Sequence, residues 1–516
     1  MRVLAHAFGK RYDLPIPLWL FVLGGALVVI ASFVIVALGS SSRAPAAAER
    51  DGEQDAALNH PAEDGSWIRG LHPVWGTVAL LWLAFNIWCG LIGSQEVSEN
   101  IIVTWFWLIV WIAVPLTVAL VGDWTQPVNP YAFLTKLTDS ARVRRAVLGN
   151  PEPLRWPDWL GWWPAVVLFF LGACGELIYN LDTTVPQEAA EILLVYALFT
   201  ALMGLVFGKE WLRRGEMFTV LLDTWGRLGY FRFGAPGRSG FAGGLERGFA
   251  PRISRVAFVL LMLLNVNFDG LLSTPQWADV LRQLPSPYNV PSSSQHYFNT
   301  VVFVLMAIVL ALILIGFAQG SAAAGKHGTG PLTSLTGLLP SLVPIAFGYL
   351  LAHNLEYILI NGQLMLPLIG NPPGGDGNWP LAPHMPYPFN DSYEVNFSFL
   401  PSGFYWYVSL VVIVAVHVYA VVLAHRHLLR VGRSRSLELR SEFPWLAAMV
   451  GYTCLSLWLL AQPLIKESLG TTGMPEPHVV PPPAAVSLYD GDPAASTAAP
   501  LGGLGRTALS PDLGDR

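Results

Sequence analysis

Charge is what this sequence has least of. Only 13% of its 516 residues are Asp, Glu, Lys or Arg, while 53% are hydrophobic. Soluble domains carry about 25% charge, so a chain of this length and composition cannot cover a water-facing surface. The net charge of -5 is too small to argue for nucleic acid or any strongly charged partner. Cysteine is scarce too: Cys89, Cys174 and Cys454 fall in three different apolar runs without CxxC spacing, and read as small buried hydrophobes. There is no P-loop, no GxGxxG after a strand, no GxSxG elbow and no HExxH. ATP-driven transport and the common soluble hydrolase chemistries therefore have no motif behind them. Lys and Arg are missing altogether from 95–100, 181–188 and 367–403.

Long apolar runs fill the space that charge leaves. A spanning helix needs about 20 mostly apolar residues. Such runs occur at 16–39, 74–94, 101–121, 159–180, 189–208, 253–272, 298–319, 341–366, 404–427 and 444–465. Many of the 20 Trp residues sit near their ends, where amphipathic rings suit the headgroup level. The fold class expected is an all-α integral membrane protein of about ten transmembrane helices, with nine or eleven as the alternative counts. The run at 341–366 has an alternative start near Leu332, with a break at Pro340 or Pro344.

The loops give a direction. Those at 122–158, 209–252 and 428–443 hold Lys136, Arg142, Arg144, Arg145, Lys209, Arg213, Arg214, Arg430, Arg433 and further arginines. Cytoplasmic loops carry the Lys/Arg excess, so ten spans put these loops inside and both termini outside, in the plasma (inner) membrane. Met1–Ala5 is too short for a secretory signal; the first helix inserts as a reverse anchor, or a signal precedes it. Residues 1–466 read as one polytopic membrane domain with a flexible acidic loop at 40–73 and an outer, lid-like loop at 367–403. The Arg- and Trp-rich segment 209–252 reads as interfacial, with Glu210 and Glu216 ion-paired to Arg213 and Arg214. The Pro/Ala/Gly/Ser-rich stretch 467–516 reads as a disordered tail.

Polar residues inside hydrocarbon are costly and mark sites or helix contacts. The richest run is "FGYLLAHNLEYILINGQLMLP", where His353 and Glu356 share a helical face with Tyr357 beside them, and Asn354 and Asn361 lie on a neighbouring face. A His and a carboxylate at this spacing can hold one metal ion, or one can orient the other as a proton acceptor; equally they can tie helices together. His417, halfway along the next run, falls at a similar depth, which offers a haem or metal partner for His353. Glu176 and Asp269 lie toward the outer ends of their runs and complete an outer polar cluster with Glu356. His425 and His427 flank Arg426 at the inner end, where snorkelling accounts for them.

Several segments resemble a known family when taken together: "AHAFGKRYDLPIPLWL", "GDWTQPVNPYAFL", "FGKEWLRRGEMFTVLL", "NVNFDGLLSTPQW" and "AFGYLLAHNLEYILINGQ". They are similar to polytopic bacterial and archaeal membrane proteins labelled fenitrothion hydrolase, over most of the chain to about residue 430. The resemblance implies hydrolysis of an organophosphate triester at the membrane, with a divalent metal as Lewis acid and an activated water. It makes His353 and Glu356 the first candidates, with His417, Glu176 and Asp269 as further ligands or bases. The residues alone leave two other classes open. One is a transporter or permease for a metal ion or small solute, and the other a redox component binding copper or haem. The lipid bilayer is the one partner the sequence implies.

Overall fold

The computed structural model describes residues 23–31, 33, 72–231, 233, 240–246, 248–375, 377, 379–431 and 435–460, and the regular secondary structure among them is helical. No strand occurs among them. The tail 467–516 and nearly all of the acidic loop 40–73 lie outside these residues, as do both termini. Within the first expected span only 23–31 and 33 are described, and they are helical.

Seven of the described helical stretches are long and apolar enough to cross a membrane. They begin with α1 (His72–Ile92) and α2 (Ile101–Val121). Two short helices follow, α3 (Pro130–Thr138) and α4 (Ala141–Leu148), in the basic segment between spans. The apolar run at 159–180 forms only the 15 residues of α5 (Trp163–Leu177), opened by Pro164 in its first turn. Next come α6 (Pro186–Phe207), the amphipathic α7 (Met217–Gly226) and α8 (Ile253–Leu272). After the short α9 (Pro275–Gln283), the 32-residue α10 (Ser293–Ala324) starts from a Ser292 cap. The run centred on His353 is broken where a proline allows it. Helix α11 (Pro331–Leu338) passes through a 3-10 turn at Leu339–Ser341 containing Pro340, then continues as α12 (Leu342–Asn361). The short α13 (Met365–Gly370) precedes α14 (Ser402–Val431) and α15 (Arg435–Leu460).

Side-chain pattern sorts these helices into layers. Helices α8 and α12 are apolar nearly all round and bury most of their residues, so they form the centre. Helix α10 buries few; it turns Val301, Leu305, Ile308 and Leu312 outward as a continuous exposed stripe. Water-soluble surfaces rarely show such a stripe. Helix α12 lies along α14, α8 contacts α5, α10 and α12, and α15 covers α10. Small residues permit the close approaches. A Cβ on Gly348 of α12 would stand 2.3 Å from Val416 Cγ2 of α14. One on Gly90 of α1 would meet the Ala190 Cβ of α6 at 2.7 Å.

Helix α7 lies in the segment expected to be interfacial, yet buries Met217, Phe218, Val220, Leu221, Leu222 and Trp225 against the bundle. Its apolar face is wide enough to meet both α2 and α5. The loop 367–403 is held by backbone: Ser94 N and Ile101 N donate to Pro373 O and Pro372 O at 2.7 and 3.0 Å. Gln363 clasps its far part, accepting from Tyr393 Oη at 3.1 Å and Asn396 N at 3.0 Å.

Candidate functional site

Helices α5, α8 and α12 bring two acids and a histidine together. On α8, Asn265 and Asp269 are four residues apart and share a face. Asp269 Oδ2 meets His353 Nε2 of α12 at 2.7 Å. An ionised carboxylate can only accept, so opposite one Nε2 is the donor. Glu176, near the C-terminal end of α5, accepts at Oε2 from Trp111 Nε1 at 2.6 Å and Asn265 Nδ2 at 3.2 Å. It stands within electrostatic reach of both Asp269 and His353. Tyr349 and Tyr357 lie one turn either side of His353; the Tyr349 ring stacks on the imidazole with centroids 6.1 Å apart. Tyr357 is within reach of both carboxylates. The side chains of His353 and Asp269 keep 20% and 36% of their exposure, so the dyad is open on one side.

Local backbone accounts for part of this placement. From Thr104 to Ala113, α2 is wound as a π-helix. Wide turns of this kind are uncommon and frequent at functional sites; this one carries the indole of Trp111 that holds Glu176. Asn100 fixes the start of α2, accepting from Ile102 N and donating to Cys89 O and Ser94 O. Trp111, Asn265 and Tyr349 are the site residues that sequence reasoning missed. The i, i+4 spacing of Tyr349, His353 and Tyr357 was readable, but nothing in the sequence told an interior indole from the chain's many interfacial ones.

The remaining candidates go elsewhere. Glu356 lies within reach of Tyr405 on α14. Asn354 donates to its own helix at Leu350 O, 3.0 Å. Asn361 is 1% exposed, with neither amide atom partnered. His417 is buried and its Nδ1 is 2.7 Å from Ile413 O of its own helix, while Nε2 has no partner. The expected metal set His353, Glu356 and His417 is therefore not assembled. Among the described residues no three His, Cys, Asp or Glu side chains gather closely enough to hold a metal ion. His353 Nε2 and Glu176 Oε2 are committed to Asp269 and to Trp111 and Asn265. The donor set at this site does not fit a divalent ion.

Two readings of the basic end also change. Glu210 does pair with Arg213 and Arg214, at 2.9 and 3.5 Å. Glu216 instead caps α7, accepting from Phe218 N at 3.0 Å and Thr219 N at 2.6 Å, with Tyr196 and Thr219 hydroxyls also bonded to it. Burial pushes its carboxyl up, and the bonds from Thr219 and Tyr196 oppose that. His425 does not snorkel: it is buried and faces Glu442 of α15 at 2.7 Å. On the other side of α8, Asn267 bonds the Tyr452 hydroxyl of α15, an interhelical tie.

Comparison with known proteins finds no matching family model, no matching curated protein and no matching solved structure. What fold and site define on their own is an all-helical bundle. Among the described residues seven helical stretches are long and apolar enough to span a membrane, and a carboxylate–histidine–carboxylate group lies where α5, α8 and α12 meet.

Proposed function

We propose that the chain is a multi-pass membrane protein of about ten spans, with both termini outside, and that Glu176, Asp269 and His353 bind and pass on a proton during transport of a small solute. The observation that carries this reading is the 2.7 Å Asp269–His353 bond between two central helices, with a second carboxylate from a third helix in reach. Ionisable groups within spans are rare, and in carriers they mark proton relays. Broken helices are a carrier feature as well, and α12 is bounded by 3-10 turns at Leu339–Ser341 and Gly362–Leu364. In this reading His353 takes a proton at Nδ1, Asp269 balances the imidazolium, and Glu176 offers the next acceptor. The test is proton flux into liposomes under an imposed gradient. His353→Ala is expected to lower it at least about tenfold, which would equal about 1.4 kcal/mol of barrier; unchanged flux in folded protein rejects the reading.

A second reading has one observation in its favour. An imidazole oriented by a carboxylate is the base half of a hydrolytic triad, and His353 with Asp269 has that form. Together with the family resemblance this supports base-activated hydrolysis of an apolar phosphotriester entering from the bilayer. Release of nitrophenolate from a nitrophenyl phosphotriester, lost by about 10²–10⁴-fold in His353→Ala, would favour the hydrolase. No release by wild-type protein that moves protons would favour the carrier.

A further inference from the structure

The proton-handling reading accounts for one His–carboxylate pair; the bundle contains another at its opposite end. His425 of α14 and Glu442 of α15 are joined by a 2.7 Å contact from Nδ1 to Oε1, with side chains only 5% and 3% exposed. Their outer atoms, His425 Nε2 and Glu442 Oε2, are both buried and have no hydrogen-bond partner. Both residues line a cavity of about 10 Å³, whose other described walls are Phe33, Val421, Ala424, Leu428, Trp445, Leu446 and Met449. That is room for about one water.

We infer that His425 and Glu442 form a second proton-binding site, at the end of the bundle that carries the basic loops. The inference rests on the proton-handling reading of the His353 site. Glu442, accepting at Oε1, makes Nδ1 the donor and leaves a lone pair on Nε2. In that state the pair carries one negative charge among apolar side chains, a costly arrangement. A proton delivered to Nε2 gives imidazolium beside carboxylate and no net charge; its departure restores the negative charge. Two buried acceptors without donors call for an explanation; a single water in the cavity can donate to both and is the route by which a proton reaches Nε2.

Geometry sets the pair apart from the first site. Ser409 Oγ donates to Ala352 O at 3.2 Å, which puts His353 at the level of residue 408 or so on α14. At a 1.5 Å rise per residue, His425 then lies about 25 Å further along that helix. This distance is most of a hydrocarbon thickness of about 30 Å. His417, with its unpartnered Nε2, falls between the two.

Among the described side chains, the charged neighbours do not neutralise the pair. On α14, Arg426 is engaged by Glu246 at 2.9 Å, and Arg430 donates to Arg426 O. His427 and His327 line a separate cavity that shares only Leu428 with this one. Arg440 lies two residues before Glu442 on α15 and is exposed. Helix α10 carries no charged residue except His296 near its far end, and α11 carries none. Described residues 23–31 and 33 are uncharged as well.

Infrared difference spectra of liposome-reconstituted protein, taken between acid and alkaline buffer, test the assignment. The wild type is expected to show carboxyl and imidazole bands of a buried pair that vanish in Glu442→Gln and persist in Asp269→Asn. The double variant His425→Leu/Glu442→Met replaces the pair by apolar side chains, a change that buried pairs tolerate. It is expected to melt like the wild type without those bands. Spectra of Glu442→Gln and the double variant that superpose on the wild type overturn the inference. Loss of flux in Asp269→Asn alongside such superposition leaves the first site standing and removes only the second. Wild-type flux no greater than in empty liposomes, with the Glu442 bands present, rejects the carrier reading while the inner site holds.

Discussion

At the residue scale the chain separates buried polar groups that are partnered from those that are not. Asp269, His353 and Glu176 each have a named partner on another helix, whereas His417 spends its one bond on its own helix and leaves Nε2 empty. Removing a buried polar group whose one bond is to a helix carbonyl leaves no other side chain without a partner, and so costs little. His417→Leu is therefore expected to melt within a few degrees of the wild type, or above it, in detergent. A large loss of melting temperature would show that His417 has a structural partner. Asp123 gives a pH prediction just beyond the end of α2. Burial, with the Asp223 charge adding to it, pushes its carboxyl up to about 6, against the opposing bond from Thr125. A carboxyl raised in the folded state stabilises below its unfolded value near 4 and loses that contribution as pH rises through 6. Melting temperature should fall across that window in the wild type and fall less in Asp123→Asn. Parallel pH profiles would contradict the assignment.

At the element scale, contacts depend on small residues where helices cross. Gly348→Ala puts a methyl 2.3 Å from Val416 Cγ2, and a β-branched side chain has little freedom to withdraw. The expected cost is about 1–3 kcal/mol, read as a lower melting temperature and recovered in part by Val416→Ala. Failure of the second change to restore stability would place the strain elsewhere. The elements also show what the sequence could carry. The span at 253–272 was readable to the residue despite its two asparagines and an aspartate, because those polar groups turn toward partners in the bundle. A break at Pro340 or Pro344 was readable from proline chemistry, and the structure puts it at Pro340. The π-helical winding of α2 and the burial of α7 were not. The first has no local signature in an apolar run, and the second depends on whether an amphipathic face meets lipid or protein. For the site, the eighth run and the outer carboxylates were legible as costly groups. The choice of Asp269 rather than Glu356 as the partner of His353 was not, since it is set by how α8 crosses α12. His425 was misread because Glu442 comes from a helix whose register the sequence does not give.

At the scale of the whole molecule, the account places one His–carboxylate pair near each face of a helical bundle. Helix α14 runs beside the first and carries the histidine of the second. Topology is open to direct labelling. Single cysteines in 209–231 and in 379–400 are expected to react with a membrane-impermeant maleimide from opposite sides of sealed vesicles; labelling from one side would overturn the orientation. The measurement nearest the central claim is proton flux into liposomes under an imposed gradient, compared among the wild type, Asp269→Asn and Glu176→Gln. The account predicts flux in the wild type, a loss of at least about tenfold in Asp269→Asn and an intermediate loss in Glu176→Gln, all in protein that melts normally. Equal flux in the three, or none above that of empty liposomes, would contradict it.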